Sequence, residues 1–235
     1  MTISGQELAA PPTVERGARA RMKRIMLDTA MRLMQSGLMP SVSDVAEAAQ
    51  VSRATAYRYF PSQAAMIQAA VDAGLGPILE WESPASDVEK RVIDLMAFSY
   101  PRISAYEATH RGALRLALDQ WARRQAGTFG DETRIVRGNR KGLLRKALAP
   151  LRDSVDGRTF DTVTQALSLM FGIEAMIVLK DIWGLDKEQA ERVAIWSARS
   201  LVRTAIAEGG ARKRSASVTN KKKNSANRPR NGRRK

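Results

Sequence analysis

SVSDVAEAAQVSRATAYRYF, Ser41 to Phe60, divides into two short helical segments around a turn. In the first, Val42, Val45, Ala46 and Ala49 recur at helical spacing and mark one buried face. Ser41 with Asp44 three residues on reads as a capping box, with Asp in the place of Glu or Gln. Ser52 is the expected N-cap of the second segment. On that segment Ala56 and Phe60, one turn apart, point inward, while Ala54, Thr55 and Arg58 fall on the opposite arc, flanked by Tyr57 and Tyr59. A small residue permits close approach to a partner. Hydroxyls and tyrosine OH groups reach phosphates, an arginine can fork onto a guanine edge or a phosphate, and the helix N-terminus favours an anion. The stretch therefore reads as a helix-turn-helix that presents its second helix to a DNA groove.

Elements follow outward from this centre. A first helix is expected from about Arg16 to Ser36, with Met22, Ile25, Met26, Thr29, Leu33 and Met34 buried and Arg16, Arg19, Arg21, Lys23 and Arg24 crowding its start. Pro61 ends the third helix and Ser62 caps a fourth, through at least Ala73. Beyond it the pattern predicts helices near Ser86–Thr109, Arg111–Ala126, Asp131–Ala149, Gly157–Ile182 and Asp186–Glu208, with Pro101 kinking or dividing the first. No period-two alternation is present. The expectation is an all-α chain: residues 1–15 a disordered arm, 16–79 a three-helix DNA-binding head with its fourth helix, 80–209 a larger helical bundle, and 210–235 a disordered basic tail.

Composition narrows the chemistry. The 235 residues hold no cysteine and one histidine, His110. Thiol catalysis, cysteine–zinc sites and two-histidine metal sites are excluded. No glycine-rich phosphate loop is present, so neither a metal, a cofactor nor an enzymatic activity is expected. His110 reads as a surface or pocket-rim group. The net charge is +15, but Ala211–Lys235 alone carries eleven Lys and Arg and no acid, which leaves 28 basic and 24 acidic residues, a net of +4, in residues 1–210. The tail reads as a phosphate-binding arm or as a solubilising one. The first residues have no apolar signal segment, and the longest apolar run, Ala166–Leu179, is short for a membrane span and interrupted by Glu174, so no membrane is expected and a cytoplasmic, nucleoid-associated location is.

VSRATAYRYFPS, preceded by SVSDVAEAA, resembles the helix-turn-helix signature of the TetR family of transcriptional regulators, over about Arg19 to Leu79. The resemblance implies a ligand-responsive DNA-binding regulator, a repressor, acting as a homodimer on a palindromic operator. It places Arg53, Ala54 and Thr55 at base edges or adjacent phosphates, Ser52 at the start of the same helix, and Tyr57, Arg58 and Tyr59 along the backbone and groove wall. Ser41 and Ser43 match phosphate- and base-contacting positions. Core packing by the Tyr57 ring stands as an alternative. Gln50 stands where the family has Gly, and Gln63 where a phosphate-binding Lys is common.

The last two long helices read as mates for a second copy of the chain: one is apolar almost all round, and the other carries a small-residue stripe through Ala190, Ala194, Ser197, Ala198, Leu201 and Ala205. Ordinary packing within the chain is the other reading. Met96, Tyr100, Ile103, Trp121 and Glu174 are candidate lining of an effector pocket, with core packing and an arginine partner within the chain for Glu174 as the other reading; Glu174, in an apolar helix, needs a cation, a hydrogen bond, solvent or a ligand. An architectural DNA-binding protein that works mainly through its basic tail is the alternative to the regulator.

Overall fold

The computed structural model describes residues 17–226, and side chains as far as Gly209. Among the described residues every regular element is helical, as the sequence predicts. The expected arm at 1–15 lies outside them. Two compact units emerge, one of residues to Ala70 together with Arg115–Ile135, the other of Val71–Leu114 and Val136 onward. The boundary falls earlier than residue 79 because Val71, Leu75, Ile78 and Trp81 pack into the larger core.

The first unit holds α1 (Ala18–Gln35), α2 (Val42–Ala48), α3 (Arg53–Tyr59) and the start of α4 (Gln63–Leu75). Met26, Thr29, Ala30 and Met34 are the buried face of α1, whereas Ile25, one position off that stripe, is 41% exposed. Gly37, at φ +84°, lets the Leu38 N–H turn back onto the Leu33 carbonyl at 3.2 Å and closes the helix. Met26, Ala30, Val42, Val45, Ala46, Ala56, Phe60 and Met66 form one small core.

Residues 131–138 are not helical, against the Asp131–Ala149 expectation; α7 is only Asn139–Ala147. The amide of Gln120, 2% exposed, donates to the Thr133 carbonyl at 3.0 Å and accepts from the Ile135 N–H at 3.0 Å. One side chain thus satisfies backbone groups that a helix would otherwise pair, and the segment stays extended.

The second unit is built on α5 (Val88–Ala105), the first part of α6 (Glu107–Gln125), α7, α8 (Gly157–Met170), α9 (Ile173–Ile177, continued by a π turn to Ile182) and α10 (Lys187–Ala226). Pro101 is accommodated inside α5, and the chain breaks instead at Tyr106. The expected helix Gly157–Ile182 is two helices meeting at a 49° bend. Gly172, at φ +116°, makes the break, a conformation that costs glycine little. The small-residue face of α10 serves this chain's own core: Ala190, Ala194, Ala198, Val202 and Ala205 are at most 5% exposed, and α10 packs on α5 and α8. The apolar helix before it is not buried all round, since Leu169 (66%) and Ile182 (72%) face outward.

Helix α10 continues to Ala226, so the first part of the expected disordered tail is helical. A helix already nucleated by packing propagates at little cost, and the next proline is Pro229. Among the described residues no single helix is long and apolar enough to cross a membrane.

Candidate nucleic-acid interface

Two caps set the helix-turn-helix. The Asp44 N–H donates to Ser41 Oγ at 3.1 Å, and the Ser41 N–H donates to Asp44 Oδ2 at 2.8 Å. These hydrogen bonds, with the charge of Arg53 adding a smaller effect, hold the Asp44 carboxyl below its ordinary range. At α3, Ser52 Oγ accepts the Thr55 N–H at 3.2 Å and donates to Thr55 Oγ1 at 2.9 Å. Each cap fixes where its helix starts, and so the angular register of the side chains that follow.

Gln50 sits in the turn at φ +55°, among the described residues the one non-glycine in the left-handed region. Its N–H donates to the Glu47 carbonyl at 3.0 Å and the Val51 N–H to the Ala46 carbonyl at 2.9 Å. The turn keeps the geometry a glycine would adopt and carries the cost of a Cβ there, about 1 kcal/mol.

With Ala56 and Phe60 buried, α3 exposes Arg53, Ala54 and Arg58, and leaves Thr55 half-buried. The Tyr57 ring is 47% exposed, which removes the core-packing alternative; its OH lies 3.5 Å from Ser43 Oγ, linking the two helices at the outer surface. Tyr59 is half-buried against the small core, with the guanidinium groups of Arg19 and Arg58 at 5.9 Å and 6.0 Å from its ring centre. Gln63 donates from Nε2 to the Pro40 carbonyl at 3.0 Å, so it braces the link before α2. Ser41, Ser43, Ser52, Arg53, Ala54, Tyr57 and Arg58 thus belong to one continuous piece of structure, with small, hydroxyl-bearing and cationic groups turned outward.

Residues 26–70 match the model of a family described as bacterial regulatory proteins, tetR family. Residues 26–70 thus carry a helix-turn-helix of the TetR type. The chain is also similar to a curated relative, the HTH-type transcriptional repressor LfrR of Mycolicibacterium smegmatis, at 38% identity over 58 residues. The match takes in 25% of this chain and 31% of the relative, so it spans less than a third of the relative's length.

The candidate pocket residues do not come together as one lining. Met96, Tyr100 and Ile103 are at most 3% exposed in the larger core, and the Tyr100 OH donates to the Met170 carbonyl at 2.8 Å. Burial raises the Tyr100 pKa well above its ordinary value. Trp121 belongs to the other unit and is 56% exposed. Glu174 lies half-buried and is held by two arginines that sequence reading did not single out: Arg137, and Arg140 at 2.5 Å. Burial pushes its carboxyl up, but the hydrogen bond and charge of Arg140, with Arg137 behind, outweigh that and hold it below the usual range.

His110, expected at a surface or pocket rim, is 8% exposed, and its Nε2 has no hydrogen-bond partner. Burial first, then the charge of Arg140, take its pKa down to about 4, against a smaller opposing effect of Glu174. Glu174 itself, a carboxylate in an apolar helix, pointed in the sequence to a cationic partner, but not to which one. The arginines sit more than thirty residues away, in a segment with no motif of its own.

Proposed function

We propose that this chain is a transcriptional repressor that binds a palindromic DNA operator as a homodimer and is released by a small-molecule effector. The observation that carries the reading is the outward face of α3: Arg53, Ala54, Tyr57 and Arg58 exposed on a helix whose register is set by the Ser52 cap and whose back is buried through Ala56. Ala54 is small enough to admit the helix to a major groove, Arg53 and Arg58 supply forked donors, and the hydroxyls of Ser41, Ser43 and Tyr57 are groups that reach phosphates. The similar repressor supports the same assignment. A twofold pair of such heads reads two half-sites about one helical turn apart.

The dimer would form through the last two long helices. Leu169, Ile182, Trp183 and Trp196 are 66–72% exposed there, a concentration of large apolar side chains suited to cover by a second copy. An effector releases the operator only by binding better to the conformation whose heads are wrongly spaced. The protein would then work in the cytoplasm, on the nucleoid.

The test is Arg58→Ala in a gel-shift titration. Arg58 is exposed and stands clear of the small core, so the variant should fold normally and bind operator about tenfold or more weakly. Unchanged binding would count against the assignment. The eleven cations of Ala211–Lys235 favour a second reading, an architectural DNA binder acting through its tail. Deleting 211–235 separates the two: a repressor keeps its site preference, whereas an architectural binder loses nearly all affinity.

A further inference from the structure

We propose that the cluster of Arg137, Arg140 and Glu174 receives the carboxylate of a small apolar acid, whose apolar body lies in the groove beside it. The inference rests on reading the larger unit as the effector-sensing one, and names the ligand class.

Charge is the first argument. Two guanidinium groups converge on one carboxylate, since Arg137 and Arg140 take opposite oxygens of Glu174. The cluster keeps one surplus positive charge in a site where the arginine side chains are only 24–35% exposed. An incoming anion balances that charge, and a guanidinium fork suits a carboxylate in particular. A cation meets a repelling field, and a neutral head leaves the charge uncompensated.

Construction is the second argument. Arg140 also donates to the Ser168 carbonyl at 3.0 Å, which fixes its guanidinium across the end of α8. Gly172 leaves room for the pair: a Cβ there would lie 3.1 Å from Arg140 Nη2 and 3.4 Å from Glu174 Oε2. The buried Nε2 of His110, within the electrostatic reach of both Arg140 and Glu174, has no partner in the protein. His110 does not line the groove, so it senses the charge of the pair rather than touching the acid.

The groove supplies the rest. It has a volume of about 370 Å³, with Arg140 and Glu174 at its wall and Leu169, Met170, Val178 and Val193 along it. An acid with its head at Arg140 can lay an aliphatic or aromatic body against these side chains. The head displaces Glu174 from Arg140 or joins it there, and the bend between α8 and α9 takes up the change.

Calorimetric titration of the full chain without DNA tests the proposal, using decanoate, decylammonium and acetate at pH 7.5. Decanoate should bind at one per chain, and decylammonium and acetate each about tenfold or more weakly. Arg140→Gln should lower decanoate affinity by a similar factor. Should that variant misfold, Val178→Glu serves instead, because Val178 lines the groove, is 46% exposed and stands outside the apolar patch assigned to the second copy, so a carboxylate there repels the acid without disturbing the core. His110 is the only histidine, so its imidazole resonance is unique in the spectrum and should move with decanoate but not with decylammonium. Equal binding of both ten-carbon heads, no decanoate binding, or a stationary His110 resonance overturns the proposal. So does a Leu169→Glu variant that loses self-association in sedimentation yet binds decanoate as before, since the groove would then belong to a second copy. Operator binding is measured separately on ligand-free protein, so a failed regulator reading and a failed ligand class give different results.

Discussion

His110 is the only histidine in the chain, and its burial makes stability depend on pH in a window that no other side chain shares. The folded protein lowers its pKa from an ordinary 6.5 to about 4. A depressed histidine pKa means that the unfolded chain takes up the proton first. Stability is therefore complete above pH 6.5, falls as pH drops from 6.5 towards 4, and levels off below. Linkage puts the loss at about 2 kcal/mol by pH 5 and about 3 kcal/mol by pH 4. The carboxyls that the fold holds low, Asp44, Glu82, Glu89, Glu132, Glu174 and Asp181, have ordinary values of 3.8 or 4.5. Their contribution is present above those values and is lost below them. The interval from pH 6.5 to 5 thus isolates the imidazole. Urea unfolding at pH 7.5, 6.5, 5.5 and 5.0 measures it, in the native chain and in His110→Leu, which keeps an apolar side chain in the site but cannot titrate. The native chain should lose about 2 kcal/mol over the series and the variant almost none, whatever its stability at neutral pH. A flat native profile, or an equal slope in both proteins, would refute the burial argument.

Gln50→Gly removes the Cβ from the left-handed turn and should raise stability by up to about 1 kcal/mol, a few degrees in melting temperature; a lower melting temperature would speak against the strained geometry. Gly209→Ala puts a Cβ 2.6 Å from the Ser154 carbonyl oxygen, so α10 must shift at a cost of about 1–3 kcal/mol in denaturant unfolding, and a neutral result would contradict that approach. Ala194→Leu forces a large side chain into the fully buried face of α10 and should cost a similar amount by the same measurement. Deleting 211–235 should flatten the plot of log affinity against log salt by about 0.9 for each phosphate that the arm neutralises in the full chain, read from gel shifts at several salt concentrations.

The head was legible because its signals are local. Ser41 with Asp44 and Ser52 with Thr55 are caps whose partners lie three residues away, and Ala56 with Phe60 is one helical turn. Legibility ended where partners come from afar. Residues 131–138 have helix-compatible composition, but Gln120, eleven or more residues back, holds two of their backbone groups and keeps them out of a helix. The apolar run through Met170 and Ile173 looks continuous until Gly172 is seen making room for Arg140 and Glu174. Small residues on α10 were readable as a close-packing face, but not as to which helix they meet; α5 and α8 of the same chain take that place. Among the candidate site residues, Gln63 turned inward to the Pro40 carbonyl, a partner 23 residues away that no local signal gives, whereas the Tyr57 ring stayed out.

Whether α3 reads DNA sequence is decided by footprinting on DNA that the full chain selects from a random pool. A sequence-reading α3 should give an enriched inverted repeat with protected half-sites about 10 base pairs apart, on the same face of the duplex, and loss of that protection in Arg58→Ala. A pool with no enriched sequence, or a footprint that Arg58→Ala leaves intact, would contradict it.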